Sequence, residues 1–279
     1  MKIAITGASG FVGRALVLRL SQKAHSVQPV SLRQGLSPHS FSDCDAVVHL
    51  AGEPVAQRWT SAVRQRIMNS RVDGTRMVLE ALRNSPARIL VSASAVGYYG
   101  SRGDEILTET SAPANDFLGQ VAVAWEAEAM RATEFGIRVV SPRIGVVLGR
   151  GGGALARMLL PFKMGIGGRL GSGNQWMSWI HLDDLTALIE FAFLNHTLRG
   201  PINAAAPNPV TNADFTKALG GVLHRPAFMP VPGFALKLLF GEMSRVLLEG
   251  QRVIPAAATE AGFKFRYPSI EEALREAVS

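Results

Sequence analysis

The run Lys2 to Thr6, followed at once by Gly7-Ala8-Ser9-Gly10-Phe11-Val12-Gly13, constrains this chain more than any other stretch. Ile3, Ala4 and Ile5 read as a buried strand, and from Gly10 onward Val12, Ala15, Leu16 and Leu20 fall on one helical face. A glycine-rich turn therefore joins a strand to a helix. In that layout the free backbone N–H groups of a helix N-terminus can receive a dinucleotide pyrophosphate. Glycine turns of this kind also serve packing alone, but here the context fits on both sides, and Gly7, Ser9, Gly10, Phe11, Val12 and Gly13 are candidate cofactor-binding positions.

The end of the second strand, Ser26 to Ser31, bears on which dinucleotide. About 20 residues past such a turn an NAD site places a carboxylate for the ribose hydroxyls. This chain has Ser31-Leu32-Arg33 there. A hydroxyl and an arginine suit a 2′-phosphate, so Ser31 and Arg33 point to NADP(H); the competing reading of Arg33 is a solvated loop residue.

The glycines at 7, 10 and 13 are spaced GxxGxxG, one residue wider at the first gap than GxGxxG. The arrangement resembles the turn of the short-chain dehydrogenase/reductase superfamily, and its place near the start of the chain resembles that superfamily's extended branch. Asp45-Ala46-Val47-Val48-His49-Leu50-Ala51-Gly52 matches a further strand of that branch. The match implies that Leu50, Ala51 and Gly52 line the cofactor with backbone, while His49 reads as a packed histidine. A helix is expected over Trp59 to Leu82, and its Ser70-Arg71-Val72-x-Gly74-Thr75 puts Arg71 where the superfamily has Asn. Arg71 can reach a cofactor phosphate there or form a surface salt bridge.

After the strand Arg88 to Ser92, the segment Ser92-Ala93-Ser94-Ala95-Val96-Gly97-Tyr98-Tyr99-Gly100 resembles the branch's Ser-Ser-x-x-Val-Tyr-Gly. It implies a cofactor contact at Ser92 and the catalytic serine at Ser94, whose hydroxyl would polarise a carbonyl. The superfamily's Tyr-x-x-x-Lys pair is missing. Aligning the helix from Phe117 through Glu134 puts Phe117 and Val121 at those positions, and neither moves a proton. Tyr98 or Tyr99 is left as the phenol of a catalytic set, with its activating cation supplied from elsewhere. The strand Ile137 to Arg143 resembles one that leaves the sheet under the nicotinamide, with Val147 as a backbone contact, and Arg150-Gly151-Gly152-Gly153 reads as a hinge. Gln175 to Leu185 resembles a family segment before a helix, with Asp184 in the first helical turn. Glu126, Trp179 and His181 are expected around a substrate cleft. An alternating strand is expected over Phe263 to Tyr267.

Taken together, GASGFVG, HLAGEPV, SASAVGYYG, VVLGRGGG, GSGNQWMSWIHLDDL and LLEGQRVIP look like the YfcH-like branch of atypical extended short-chain dehydrogenase/reductases, an epimerase-like family with a C-terminal domain of unknown function. The resemblance implies a Rossmann-type α/β fold, a doubly wound parallel sheet with a smaller mixed C-terminal substrate lobe. Residues 1–150, completed by about 176–205, would bind NADP(H), and residues 151–175 with 206–279 would form the substrate lobe. The implied activity is an NADP(H)-dependent oxidoreductase or nucleotide-sugar epimerase acting on a carbonyl/alcohol of a small, anionic or sugar-like molecule. Loss of Tyr-x-x-x-Lys keeps open a catalytically silent NADP(H)-bound regulator or scaffold, a label that in this branch extends to cell division. A homodimer is a family-level expectation.

Composition limits the remaining classes. Lys and Arg number 29 against 22 Asp and Glu, a net charge of +7 that suits an anionic ligand, but the basic residues are scattered and not grouped into a nucleic-acid-binding run. No apolar run reaches the roughly 18 residues of a membrane span, and a strand at the very start leaves no room for a signal peptide, so a cytoplasmic protein is expected. With Cys44 alone, neither a disulfide within the chain nor a multi-cysteine metal site can form, and no metal is expected.

Overall fold

A computed structural model describes residues 1–279, the Gln34 side chain excepted. The first half of the chain comprises β1 (Lys2–Thr6), α1 (Phe11–Gln22), β2 (Ser26–Val30), β3 (Ala46–His49), α2 (Ser61–Leu82), β4 (Ile89–Ser92), β5 (Ser94–Ala95), β6 (Ile106–Leu107), α3 (Phe117–Met130) and β7 (Arg138–Ile144). There follow β8 (Val146–Leu148), α4 (Gly153–Lys163), β9 (Trp176–Met177), β10 (Trp179–His181), α5 (Leu182–Leu194), β11 (Gly200–Ala204), β12 (Val210–Thr211) and α6 (Asn212–Leu223). The chain closes with α7 (Gly233–Phe240), α8 (Arg245–Leu248), β13 (Arg252–Val253), α9 (Ala256–Glu260) and α10 (Ile270–Val278).

Continuous apolar runs become buried parallel strands because both faces of the sheet are covered by helices. The sheet runs β2-β1-β3-β4-β7-β11, and β5 continues β4 alongside β7. Every pairing in it is parallel. Leu16 and Leu20 of α1 meet Leu185, Leu188 and Ile189 of α5 on one face. On the other, Val78, Leu79 and Leu82 of α2 pack with Ala129 of α3. The chain goes from β1 outward to β2 and then crosses back to β3 on the other side of β1. That reversal opens a crevice at the carboxyl ends of β1 and β3, where doubly wound sheets place their ligands.

Element ends follow local chemistry. The helix expected from Trp59 begins at Ser61, because the Thr60 hydroxyl accepts from the Val63 N–H and caps it. The helix expected to run to Glu134 tightens into a 3-10 turn over Arg131–Phe135, ended by Gly136 in the left-handed region. Thr211 caps α6 through the Asp214 N–H. The alternating strand expected over Phe263 to Tyr267 is absent, which corrects the periodicity reading. Phe263 and Phe265 pack edge to face at 4.9 Å, and the N–H groups of Arg266 and Tyr267 bond to the Asp184 carboxylate at 2.8 and 2.9 Å instead of to a neighbouring strand.

A second core lies beyond the sheet. Leu155, Phe215, Leu219, Ile270 and Leu274 bring α4, α6 and α10 together around Trp179, and β8 pairs with β10 to tie this layer to the end of β7. None of the helices is long and apolar enough to cross a membrane among the described residues.

Asp184 joins the two layers, since it stands in the first turn of α5 and holds the segment leading to α10. Its Asp184→Ala variant strands the buried Tyr267 N–H and the part-buried Arg266 N–H. We expect it to lower the unfolding free energy by about 2 kcal/mol or more, read as a drop in the urea midpoint at constant m-value.

Candidate active site

Gly7 takes φ +74°, and a Cβ there would stand 2.8 Å from the Ala51 nitrogen, so β1 and the end of β3 close together only with glycine at this point. A Cβ on Gly13 would overlap the Gly7 carbonyl oxygen, which fixes the close approach of α1 to the turn. Gly10 caps α1 without a side-chain hydrogen bond, and no acidic residue stands in the first turn. The helix N-terminus therefore meets the crevice with free N–H groups and no competing carboxylate. Phe11 turns away and lies against Gly149, Gly152 and Gly153, so the stretch expected to be a hinge is packed on an aromatic ring.

Ser31 and Arg33 are exposed just past β2, and Arg33 is in no ion pair among the described residues. Arg71 reaches from α2 to the Glu53 carbonyl at 3.1 Å, lies over the Trp125 ring and borders Gly52. Burial pulls its pKa down to about 10, partly countered by Glu53. His49 is fully buried, with Nδ1 2.6 Å from the Thr6 hydroxyl. Its pKa falls to about 4, through burial first and the Arg71 charge second, so the ring is neutral at ordinary pH. Nε2 of His49 and Oγ of Ser92, at the carboxyl ends of β3 and β4, are buried without a protein partner.

The polar cluster around Ser94 comes from strand register. β5 pairs with β7 so that Ser94 lies opposite Arg143, and α3 crosses above with Glu126. The Ser94 hydroxyl donates to Glu126 Oε1 at 2.6 Å. Arg143 clamps the same carboxylate with Nε on Oε1 and Nη2 on Oε2, both at 2.8 Å. Arg143 is 2% and Glu126 12% exposed at the side chain, so this is a shielded, bidentate pair. Burial works against the Arg143 charge, but the Glu126 carboxylate and the Tyr99 oxygen outweigh it and hold its pKa above the usual arginine value.

The two tyrosines divide. The Tyr98 ring is half-buried with the Arg143 guanidinium carbon 3.4 Å from its centroid. Tyr99 is fully buried; its hydroxyl donates to Asn203 Oδ1 at 2.6 Å and accepts from Arg143 at 2.8 Å. Burial pushes its pKa up to about 12 against the opposing pull of Arg143 and Asn203. Of the positions expected around the cleft, Glu126 joins Ser94, whereas Trp179 and His181 lie in the core. The Trp179 indole donates to the Asn208 carbonyl at 3.0 Å. His181 caps α5 through the Asp183 N–H and packs against Tyr267, the rings 4.1 Å apart and tilted by 52°. Val147 lies in β8, paired to Ile180.

Arg143, Asn203 and Glu109 were missed by sequence reasoning. Glu109 accepts from the backbone N–H groups of Asn203 and Ala257 at 2.8 and 3.2 Å, and Asn203 donates onward to the Ile254 carbonyl. One signal was present, Arg143 within the apolar stretch that forms β7: a charge buried there needs partners for its guanidinium.

Comparison with known proteins agrees with this architecture. Residues 3–204 match the NAD dependent epimerase/dehydratase family and residues 231–277 a domain of unknown function. The chain is 43% identical to the chloroplastic epimerase family protein SDR39U1 homolog of Arabidopsis thaliana, over 99% of this chain and 86% of the relative. It is 38% identical to the epimerase family protein YfhF of Bacillus subtilis, over 100% and 98%. It superposes on the crystal structure of human epimerase family protein SDR39U1 with NADPH at a TM-score of 0.93 and 34% identity, covering 99% of each chain.

Two measurements probe this geometry. Glu126→Ala leaves the Arg143 charge buried and unpaired and is expected to cost about 3–5 kcal/mol of stability, while the Glu126→Gln, Arg143→Met double replacement recovers a large part of that loss. Tyr99 carries a raised pKa, so its stabilisation is full below the unfolded value of about 10 and is lost as pH climbs through the folded value. Tyrosinate absorbance should show one phenol titrating near pH 12 in the folded protein, and unfolding midpoints should fall across that window.

Proposed function

The chain belongs to the NAD dependent epimerase/dehydratase family, and on that premise we propose that it is an NADP(H)-dependent oxidoreductase or epimerase in which a Ser94–Glu126 pair replaces Tyr-x-x-x-Lys. The substrate is a carbonyl/alcohol centre on a small, anionic or sugar-like molecule. The observation that carries this reading is the 2.6 Å bond from Ser94 to a carboxylate clamped by Arg143.

The glycine cradle fits a dinucleotide, with Gly7, Ser9, Gly10, Phe11, Val12 and Gly13 at the pyrophosphate. Ser31 and Arg33 take the 2′-phosphate, Arg71 supplies a cation, and Leu50, Ala51, Gly52, Ser92 and Val147 line the rest. Residues 1–150, completed by about 176–205, hold the nucleotide, and 151–175 with 206–279 hold the substrate. When bound, NADP(H) exchanges a hydride at the nicotinamide C4.

The protein's own part is the proton. Because the Ser94 hydroxyl proton is directed at Glu126, Oγ meets a substrate alcohol as an acceptor. As the alcohol is oxidised its O–H proton passes to Ser94 Oγ while the Ser94 proton passes to Glu126. Reduction returns both along the same line. Arg143 keeps the carboxylate oriented, and Tyr99, sealed from the crevice, acts as a positioning residue for Arg143.

Paired titrations of NADPH and NADH, followed by NADPH oxidation with a panel of ketones, aldehydes and nucleotide sugars, test the reading. NADPH should bind more tightly, and Arg33→Ala should weaken NADPH by about tenfold or more while leaving NADH unchanged. Ser94→Ala and Glu126→Gln should each lower kcat by about 10²–10⁴ at unchanged NADPH affinity. Turnover that survives both replacements refutes the pair; NADPH binding with no turnover on any carbonyl favours a nucleotide-bound regulator.

A further inference from the structure

The second lobe, which the proposed function gives to the substrate, also holds a concavity lined by none of the residues assigned to the reaction or the cofactor. A cavity of about 460 Å3 opens between α6, the segment around Arg169 and the turn leading to Pro230, with Arg169, Thr216, Lys217, Gly221, Arg225 and Phe228 on its walls. Three cations and no carboxylate line it. None of the three is in an ion pair among the described residues. Positive charge gathered in a concave wall without counter-charge concentrates anions there.

Gly221 forms part of the wall. A Cβ on it would meet nothing within 4 Å, and its φ lies outside the left-handed region. Neither crowding nor backbone conformation asks for glycine, although glycine within a helix costs about 1 kcal/mol relative to alanine. Its neighbour Gly220 is different, since a Cβ there would stand 2.8 Å from the Ala227 Cβ. What the missing side chain of Gly221 leaves is open volume in the cavity. At the rim, Phe228 is 74% exposed, a bare aromatic face beside the cations. Cations grouped with one free ring match a ligand that carries both phosphate and a flat heterocycle.

We infer that this cavity binds a phosphorylated, ring-bearing small molecule, with Arg169, Lys217 and Arg225 on the phosphates and Phe228 under the ring. The site shares no residue with the glycine turn and does not depend on turnover at Ser94.

ADP is the probe, titrated calorimetrically into the full chain with NADPH in excess, alongside Lys217→Gln/Arg225→Gln, Gly221→Leu and Phe228→Ala. ADP should bind saturably, about tenfold or more weaker in the charge double variant and in Gly221→Leu. Phe228→Ala should weaken ADP but leave pyrophosphate unchanged; the charge and Phe228 variants should keep the wild-type unfolding midpoint, and Gly221→Leu, which removes a helical glycine, should match or exceed it. Absence of saturable ADP binding, or equal affinity across the variants, overturns the assignment. Capture by phosphatidylglycerol vesicles that ADP does not compete away also overturns it, because the phosphate would then belong to a lipid headgroup. The variants leave the glycine turn intact, so unaltered NADPH binding separates failure here from failure of the cofactor reading.

Discussion

The bidentate pair between Arg143 and Glu126 is the interaction on which the site depends. A guanidinium at 2% exposure is tolerated only with its charge met and its N–H groups filled. Glu126 supplies the countercharge from α3, Tyr99 accepts one further bond and the Glu109 carbonyl another. Through Asn203 the same network reaches β11 and the Ile254 carbonyl, so the residue that orients the carboxylate beside Ser94 also fixes the last strand of the sheet and the approach to α9. Disturbing one member loads cost on the rest, since a half-satisfied buried network is worse than an apolar one.

The glycine turn is a separate device with a separate physical origin. Its demands are steric: the close approach of Gly7 to the end of β3 and of Gly13 to the turn leave no space for side chains. What results is a bare helix N-terminus at the sheet's switch point, beside an uncharged histidine. The two devices meet because β4 continues into β5, which carries Ser94 from the crevice to the Arg143 strand. The basic cavity of the second lobe lies apart from both, on α6, and its charge has no structural counterpart.

The sequence by itself determined the glycine cradle and the absence of a carboxylate after β2, because these reside in short contiguous patterns; the parallel sheet and the loss of Tyr-x-x-x-Lys were legible through resemblance to a known family. It also marked Ser94 through a motif a few residues long. It did not reveal that Phe263 to Tyr267 is irregular, since its alternation comes from two packed phenylalanines while its N–H groups go to Asp184, far away in the chain. Nor did it separate Tyr98 from Tyr99, adjacent residues of which only Tyr99 is fully buried with its hydroxyl bonded to Asn203 and Arg143. Tertiary structure alone decided which groups surround Ser94: Glu126 and Arg143 come from a different helix and strand, and their meeting is set by the register of β5 against β7. Local sequence fixes backbone elements through propensity and sterics, whereas a buried charge finds its partner only when strands and helices far apart in the chain are packed together.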